Sequence, residues 1–369
     1  MKVAVITLKD SPNYGGILQA YALQKAIIKL GHECDLIDYM TADFRKKFTF
    51  FGKPPRMKTI YWIYKKVQYP IMLQMMKKMM PFYNHMNVTK HFDKPEELKE
   101  LNNEYDAFVT GSDQVWACDL NCYDDSYFLS FANPNKPKFS YAASFGRTLE
   151  MMTEEEKSFI SKQKIDYKCI SVREGSSVEI CKGLWGRSDA QPVLDPTLLL
   201  DKLDWDEVAK APRQDKYVLC YLMQSRKNDS EALKWAKEIA KERNCKVVKI
   251  CRGLTSVLWG ETLYVPTVEE WLGLFMNAEY IVTNSFHGVA FSSNFNRNFT
   301  AFVEGDPQSG RNSRLYNICS ALGLLNRIKQ VGTNDSVDSS DISYVEVNEK
   351  LNSLRTKSIG FLQNALIAQ

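Results

Sequence analysis

Short apolar runs alternate with segments of helical period along most of this 369-residue chain. That alternation constrains the fold more than any other feature, because repeated strand, helix, strand units build a mostly parallel sheet covered on both faces. Lys2 to Leu8 reads as the first strand. A loop over 9–16 then opens a helix in which Ile17, Tyr21, Gln24, Ile27 and Ile28 recur near 3.6 residues, stopped at Gly31, and Cys34 to Tyr39 is the next strand. After an interruption the pattern resumes with strands at Ala107–Thr110 and Phe139–Ala142. A helix from Thr153, with Glu156 at the capping-box position, and strands at Cys169–Val172 and Pro192–Leu194 follow. Residues 1–198 therefore predict one α/β domain. Asp195 to Lys216, charged and holding Pro196 and Pro212, reads as a linker. Residues 199–369 predict a second such domain, with strands at Tyr217–Leu222, Lys246–Ile250, Tyr280–Thr283 and Phe299–Phe302 and helices near Asp229–Arg243 and Val268–Asn277. The last helix, Ser343–Ala368, carries Val345, Val347, Leu351, Leu354, Ile359, Leu362 and Leu366 on one stripe and is expected to pack back on the domain junction. In such an α/β chain the carboxyl ends of both mostly parallel sheets are expected to face a central cleft, and function is sought there.

A content of 44% apolar and 25% charged residues excludes disordered and fibrous classes. No run of 18 apolar residues occurs and the first residues carry no signal-peptide pattern, which predicts a cytoplasmic protein. Nine cysteines without a C-x-x-C pair read as reduced thiols. Cys118 and Cys122 lack a second pair or a histidine at zinc spacing, so no metal site is expected, and no cofactor fingerprint is present.

The interruption is itself informative. Between Phe44 and Phe92 lie eleven Lys or Arg and no Asp or Glu; with the whole chain at +4, the remainder sums to −7. Tyr61, Trp62, Tyr64 and Tyr69 accompany a stripe of Ile71, Met72, Met75, Met76, Met79 and Met80, with Pro70 expected to divide two helices. Two readings stand level: a basic, aromatic face resting on an anionic membrane, or a methionine stripe packed on the protein's own core beneath solvated lysines. No nucleic-acid module surrounds the block, and no nucleic-acid partner is expected.

Five polar stretches fall just after strands. Asn13, Gly15 and Gly16 lie in a loop that opens a helix, where backbone amides can hold a phosphate or a sugar hydroxyl, or form a plain turn. Ser112 and Asp113 belong to Gly-Ser-Asp, with Asp113 a candidate base or merely a cap. Ser144 follows a run of small residues that lets a backbone approach a ligand. Arg173 and Glu174 precede a serine-rich helix start, an anion clamp or a surface pair. Asn284, Ser285 and His287 end a strand and open a small-residue helix; of four histidines this one is best placed for chemistry. Arg311 and Arg314, further on, open another helix and carry charge suited to an anionic substrate, or form a solvated first turn.

Taken in order, NYGGILQAYALQ, GSDQVW, SYAASFG, SVREGSS with VLDPTLLL, and TNSFHGVAFS resemble the polysaccharide pyruvyl transferase family. The resemblance implies a glycosyltransferase-B-like pair of Rossmann-like domains and transfer of a pyruvyl group from phosphoenolpyruvate to a lipid-linked or nucleotide-linked sugar of a bacterial surface polysaccharide, forming a ketal. Position by position it makes Arg173 the family's strand-end arginine, His287 its second-domain histidine, and places Asp113 in its G-S-D motif. One departure is present: Ser285 stands two positions before the histidine, where the family pattern has arginine, so an anion contact must come from elsewhere, with Arg311 and Arg314 the candidates. On this reading His287 is the acid or phosphate partner, Asp113 or Glu174 the hydroxyl base, and Arg173 with Arg311 the clamps. Two other classes are consistent with the fold: a nucleotide-sugar glycosyltransferase, and a non-catalytic saccharide-binding protein.

Overall fold

A computed structural model describes residues 1–46, 59–163, 166–212, 216–223, 226–250, 263–305, 310–333 and 337–367. It contains two sheets, and every named strand pair in both is parallel. The first holds seven strands, β1 (Lys2–Ile6), β2 (Glu33–Tyr39), β3 (Val88–Phe92), β4 (Ala107–Thr110), β5 (Lys138–Ala143), β6 (Cys169–Val172) and β7 (Gln191–Pro192), in the order β3-β2-β1-β4-β5-β6-β7. The second holds six, β8 (Tyr217–Tyr221), β9 (Lys246–Ile250), β10 (Leu263–Tyr264), β11 (Tyr280–Thr283), β12 (Phe299–Val303) and β13 (Ile328–Gln330), in the order β10-β9-β8-β11-β12-β13. Each sheet thus grows outward in both directions from its first strand, the doubly wound Rossmann-type order, with the reversal between β1 and β4 in one and β8 and β11 in the other. Helices on both faces explain why β4, β5, β8 and β11 are buried at every position.

The chain divides into two compact units: Met1–Ile63, Tyr83–Leu199 and Leu354–Gln369 form one, Tyr64–Phe82 and Leu200–Ser353 the other. In the first, an apolar core runs through Ile6, Phe108, Trp116, Phe128, Phe145, Ile170 and Ile180. Trp116 stacks on Phe128 at 5.9 Å and meets Trp185 edge-on at 5.2 Å. In the second, the helix Arg226–Glu242 presses Ala232, Leu233 and Ala236 onto Val218 and Cys220 of β8. The last helix, Tyr344–Ile367, contributes its residues from Leu354 onward to the first unit. There Ser358 Oγ accepts the Leu194 N–H at 3.0 Å, Arg355 Nε donates to the Leu198 carbonyl at 2.7 Å, and Leu362 and Leu366 are buried.

Several local expectations change. Pro70 does not divide two helices: a single helix, Thr59–Met79, runs through it, since the missing N–H removes only one backbone bond. Met75 and Met79 of that helix are buried, so part of the methionine stripe packs on the protein itself, whereas Met80, Ile63 and Val67 are exposed at 64%, 52% and 54%. The basic block also supplies β3, which lies beside β2 at the sheet edge, in a sequence (VTKHF) too polar to read as a strand. The segment read as a linker begins with structure. Asp195 is fully buried and caps a short turn Pro196–Leu198, and Trp205, in the helix Lys202–Asp206, is buried. Thr153 and Glu156 do form the expected capping box. The eight described cysteines are free thiols, with burial pushing Cys118 and Cys181 up to about 12, so they are inert at neutral pH. No helix among the described residues is long and apolar enough to cross a membrane.

Candidate functional site

At the carboxyl edge of the first sheet, four of the five polar stretches come together. The loop after β4 carries Ser112 and Asp113; Ser144 directly follows β5, and Arg173 and Glu174 directly follow β6. The backbone there is unusual. Asp113 has φ +68° and Ala142 φ +51°, left-handed values that cost a residue with a side chain energy, and β5 slips register against β6 between Ser140 and Ala143. Asp113 forms an isolated bridge to Ala143, and its carbonyl accepts the Ser144 N–H at 3.0 Å. Gly146 adopts φ +70°, a left-handed value that favours glycine.

Arg173 is the hub of this edge. Its side chain is 1% exposed and three carboxylates surround it: Asp195 at 3.1 Å, Asp113 at 3.3 Å and Glu174 at 3.6 Å. Burial disfavours its charge, but Asp113, Asp195 and Glu174 more than offset this and hold the guanidinium above its ordinary range. The same carboxylates are anchored in turn. Asp195 Oδ1 accepts from the Thr197 N–H and hydroxyl, and its Oδ2 from Ser112 Oγ at 3.2 Å as well as from Arg173. Glu174 Oε1 accepts from Ser144 Oγ and Ser177 Oγ, each at 2.6 Å. Glu174 and Asp195 are thus enclosed, with side chains 2% and 0% exposed, while Asp113 keeps 14%. Asp113 is the carboxylate of this group that reaches the edge.

The first loop joins the network from the side. Thr7 Oγ1 donates to the Ser112 carbonyl at 2.8 Å and accepts from Gln19 Nε2, which also reaches the Gly16 carbonyl. Gly15 and Gly16 are buried in the first turn of the helix Tyr14–Lys29, and a Cβ on Gly16 would sit 3.1 Å from the Leu8 carbonyl oxygen. Asn13, its N-cap, makes no side-chain capping bond and is half-buried. Beyond it lies a second ionic group: Lys9, 1% exposed, pairs with Asp10 at 2.7 Å and Asp38 at 3.0 Å, and Tyr83 donates to Asp10.

The second unit presents the remaining stretch at the end of β11. Asn284 spends its amide on the backbone of Met223, Oδ1 accepting at 2.5 Å and Nδ2 donating at 2.9 Å, and so ties the ends of β8 and β11 together. Thr283 Oγ1 donates to the Tyr221 carbonyl and accepts the Ser285 N–H. Ser285 caps the helix Phe286–Asn294 through its backbone, and His287 sits in the first turn, 6% exposed, its ring edge-on to Phe286 at 5.3 Å. Gly288 is required: a Cβ would come within 2.2 Å of Thr283 Oγ1. Arg314 is half-buried in the helix Gly310–Leu322, and the side chain of Arg311 lies outside the described residues. Among the described residues no group of three or more His, Cys, Asp or Glu is placed to hold a metal ion.

The sequence pointed to Ser112, Asp113, Ser144, Arg173 and Glu174 individually, and the fold joins them. It did not point to Asp195, the residue that links Ser112 to Arg173. The signal was present in VLDPTLLL, an Asp-Pro-Thr turn directly after a strand, but charge and proline made it read as linker.

Comparison with known proteins gives three results. The sequence profile described as polysaccharide pyruvyl transferase matches residues 13–306, a span that contains every candidate residue except Arg311 and Arg314. No curated protein matches the chain. Solved structures that resemble it do so at low identity. The Streptomyces sp. SF2575 glycosyltransferase SsfS6 is 12% identical, with 100% of each chain covered and a TM-score of 0.45. The UDP-GlcNAc 2-epimerase from Methanocaldococcus jannaschii is 12% identical, covering 96% of this chain and 100% of that one, with a TM-score of 0.46. The E. coli ADP-heptose lps heptosyltransferase II is 11% identical, covering 97% and 99%, with a TM-score of 0.38.

Proposed function

Because the chain belongs to the polysaccharide pyruvyl transferase family and is therefore a transferase, we propose that it moves a pyruvyl group from phosphoenolpyruvate onto two hydroxyls of a sugar in a surface polysaccharide precursor, forming a cyclic ketal and releasing phosphate. The observation that carries this reading is the joining of four motifs of one family into a single hydrogen-bonded edge, with Asp113 as its accessible carboxylate. Protonation of the methylene carbon of phosphoenolpyruvate leaves an oxocarbenium-like centre. One sugar hydroxyl adds to it and loses its proton; the second displaces phosphate and loses its own. The proton consumed at carbon is balanced by those two, one of which leaves with phosphate or solvent.

His287 is assigned the proton donation, a role suited to the titratable side chain nearest neutrality. Asp113 is assigned the acceptor hydroxyls. Arg173 acts through Asp113: already neutralised by three carboxylates, it is better suited to hold that side chain than to clamp a substrate anion. Glu174 and Ser144 fix the backbone turn beside it. The acceptor is a lipid-linked or nucleotide-linked sugar.

The test is phosphate release from phosphoenolpyruvate in the presence of a panel of both acceptor types, with mass analysis of the product. A mass gain matching one pyruvyl ketal is expected. A general acid or base contributes about 10²–10⁴ in rate, so His287→Gln and Asp113→Asn should each lower turnover at least a hundredfold while leaving the melting temperature within a few degrees. Turnover within tenfold of wild type removes the assigned role. Sugar transfer from a nucleotide donor with no dependence on phosphoenolpyruvate would replace the reading by that of a glycosyltransferase.

A further inference from the structure

The second unit holds a buried lysine amine without a hydrogen-bond partner among the described residues. Lys249 lies near the carboxyl end of β9, in register with Cys220 of β8 and Leu263 of β10. It is 2% exposed, and its Nζ has no hydrogen-bond partner among the described residues. A buried polar group left without a hydrogen-bond partner is costly, and each such group in a fold calls for an explanation such as a bound ligand. Register fixes which way this side chain points. Paired residues of parallel strands share a face and alternate along the strand, so Lys249 lies on the face of Val247, Cys220 and Val218. Those three pack with the helix Arg226–Glu242. That helix follows directly from the carboxyl end of β8, which places its first turn at the same end of the sheet as Lys249.

The first turn of a 17-residue helix offers backbone N–H groups and the positive end of the helix dipole. This one opens on Arg226 and Lys227, with no acidic residue before Asp229. An anion bound there satisfies dipole and backbone amides together.

We propose that Lys249 and the first turn of the helix Arg226–Glu242 form a binding site for a phosphate group. Resting on the function proposed above, this site takes the phosphate of phosphoenolpyruvate. It supplies the second unit with a cation, in a chain where Ser285 stands in place of the family's arginine.

The test uses the full chain with inorganic phosphate as the probe, followed by thermal shift and titration calorimetry, in wild type and Lys249→Met. Phosphate is expected to raise the melting temperature of wild type, and Lys249→Met to weaken its binding at least tenfold. Without ligand the Met variant should melt at or above wild type, since an apolar chain of similar length replaces an uncompensated charge. Equal phosphate affinity in the two proteins overturns the site. So does a ligand-free Met variant that melts well below wild type, which would mean that the amine has a structural partner. Phosphoenolpyruvate is then added as competitor. If it displaces phosphate, and Lys249→Met weakens both, site and donor reading stand together. If phosphate binding depends on Lys249 but phosphoenolpyruvate neither competes nor is consumed, the site stands and the donor reading falls. If phosphoenolpyruvate is consumed equally by both proteins, the donor reading stands and the site falls.

Discussion

Buried charge is handled in three ways in this protein. Arg173 has three carboxylates, Lys9 has two, and Lys249 has none among the described residues. The Lys9 group has a consequence for acid stability. Burial alone would raise the Asp38 carboxyl, but the Lys9 charge and hydrogen bond, with His91 beside it, hold it below the usual Asp range. A carboxyl lowered on folding contributes stability that is complete above its unfolded pKa, near 4, and that fades as pH falls through the lower folded value. Lys9→Met removes that support and leaves Asp10 and Asp38 facing each other. Its acid-unfolding midpoint, followed by circular dichroism between pH 2 and 5, should therefore move to higher pH than wild type; an unchanged midpoint would show that the pairing carries no linkage. Lys9 itself, a lone lysine after a strand, gave no sign in the sequence of being buried, because its partners come from residues 10 and 38 on different segments.

Among the elements, the helix Phe286–Asn294 shows how closely strand end and helix start are fitted. Gly288 passes Thr283 so closely that Gly288→Ala places a methyl 2.2 Å from a hydroxyl already bonded to Tyr221 and Ser285. Overpacking of this kind costs about 1–3 kcal/mol, so the melting temperature should fall by several degrees, with Thr283→Ala in the same chain restoring part of the loss. The helix Thr59–Met79 poses a different question. Met75 and Met79 anchor one end, and Lys78 Nζ donates to the Val265 carbonyl at 2.7 Å. Ile63, Val67 and Pro70, spaced four and three residues apart, lie exposed along the other half, within a block of eleven basic residues and no acidic ones. Such a face suits an anionic leaflet. Vesicles rich in acidic lipid are expected to co-sediment the protein, neutral vesicles far less, and Ile63→Asp with Val67→Asp to abolish the effect. Equal sedimentation of the double variant removes the membrane proposal. The sequence contained this block in full, but the proline suggested a break where the backbone continues, and only packing shows which methionines are spent on the core.

For the molecule as a whole, the division into two units depends on the chain's end as much as on its middle. Leu362 and Leu366 of the final helix are buried in the first unit, and Ser358 and Arg355 satisfy backbone groups around Leu194 and Leu198. Removing residues 354–369 exposes that core. At about 2–5 kcal/mol for each lost leucine and roughly 2–4 °C per kcal/mol in a unit of this size, calorimetry should show the truncated chain melting at least about 8 °C lower, and an unchanged transition would contradict the packing described. By itself the sequence determined the two parallel sheets, because strand burial on both faces and helical period are local patterns that survive in any context. It also determined where reactive groups gather, since strand-end loops in such sheets share one edge. Tertiary structure alone decided which of those groups meet. It set Arg173 among three carboxylates, joined Asp195 to Ser112 across the fold, and left Lys249 buried. The reason is physical: the state of a charged side chain is set by burial and by neighbours that are distant in the chain, and neither is written in the residues beside it.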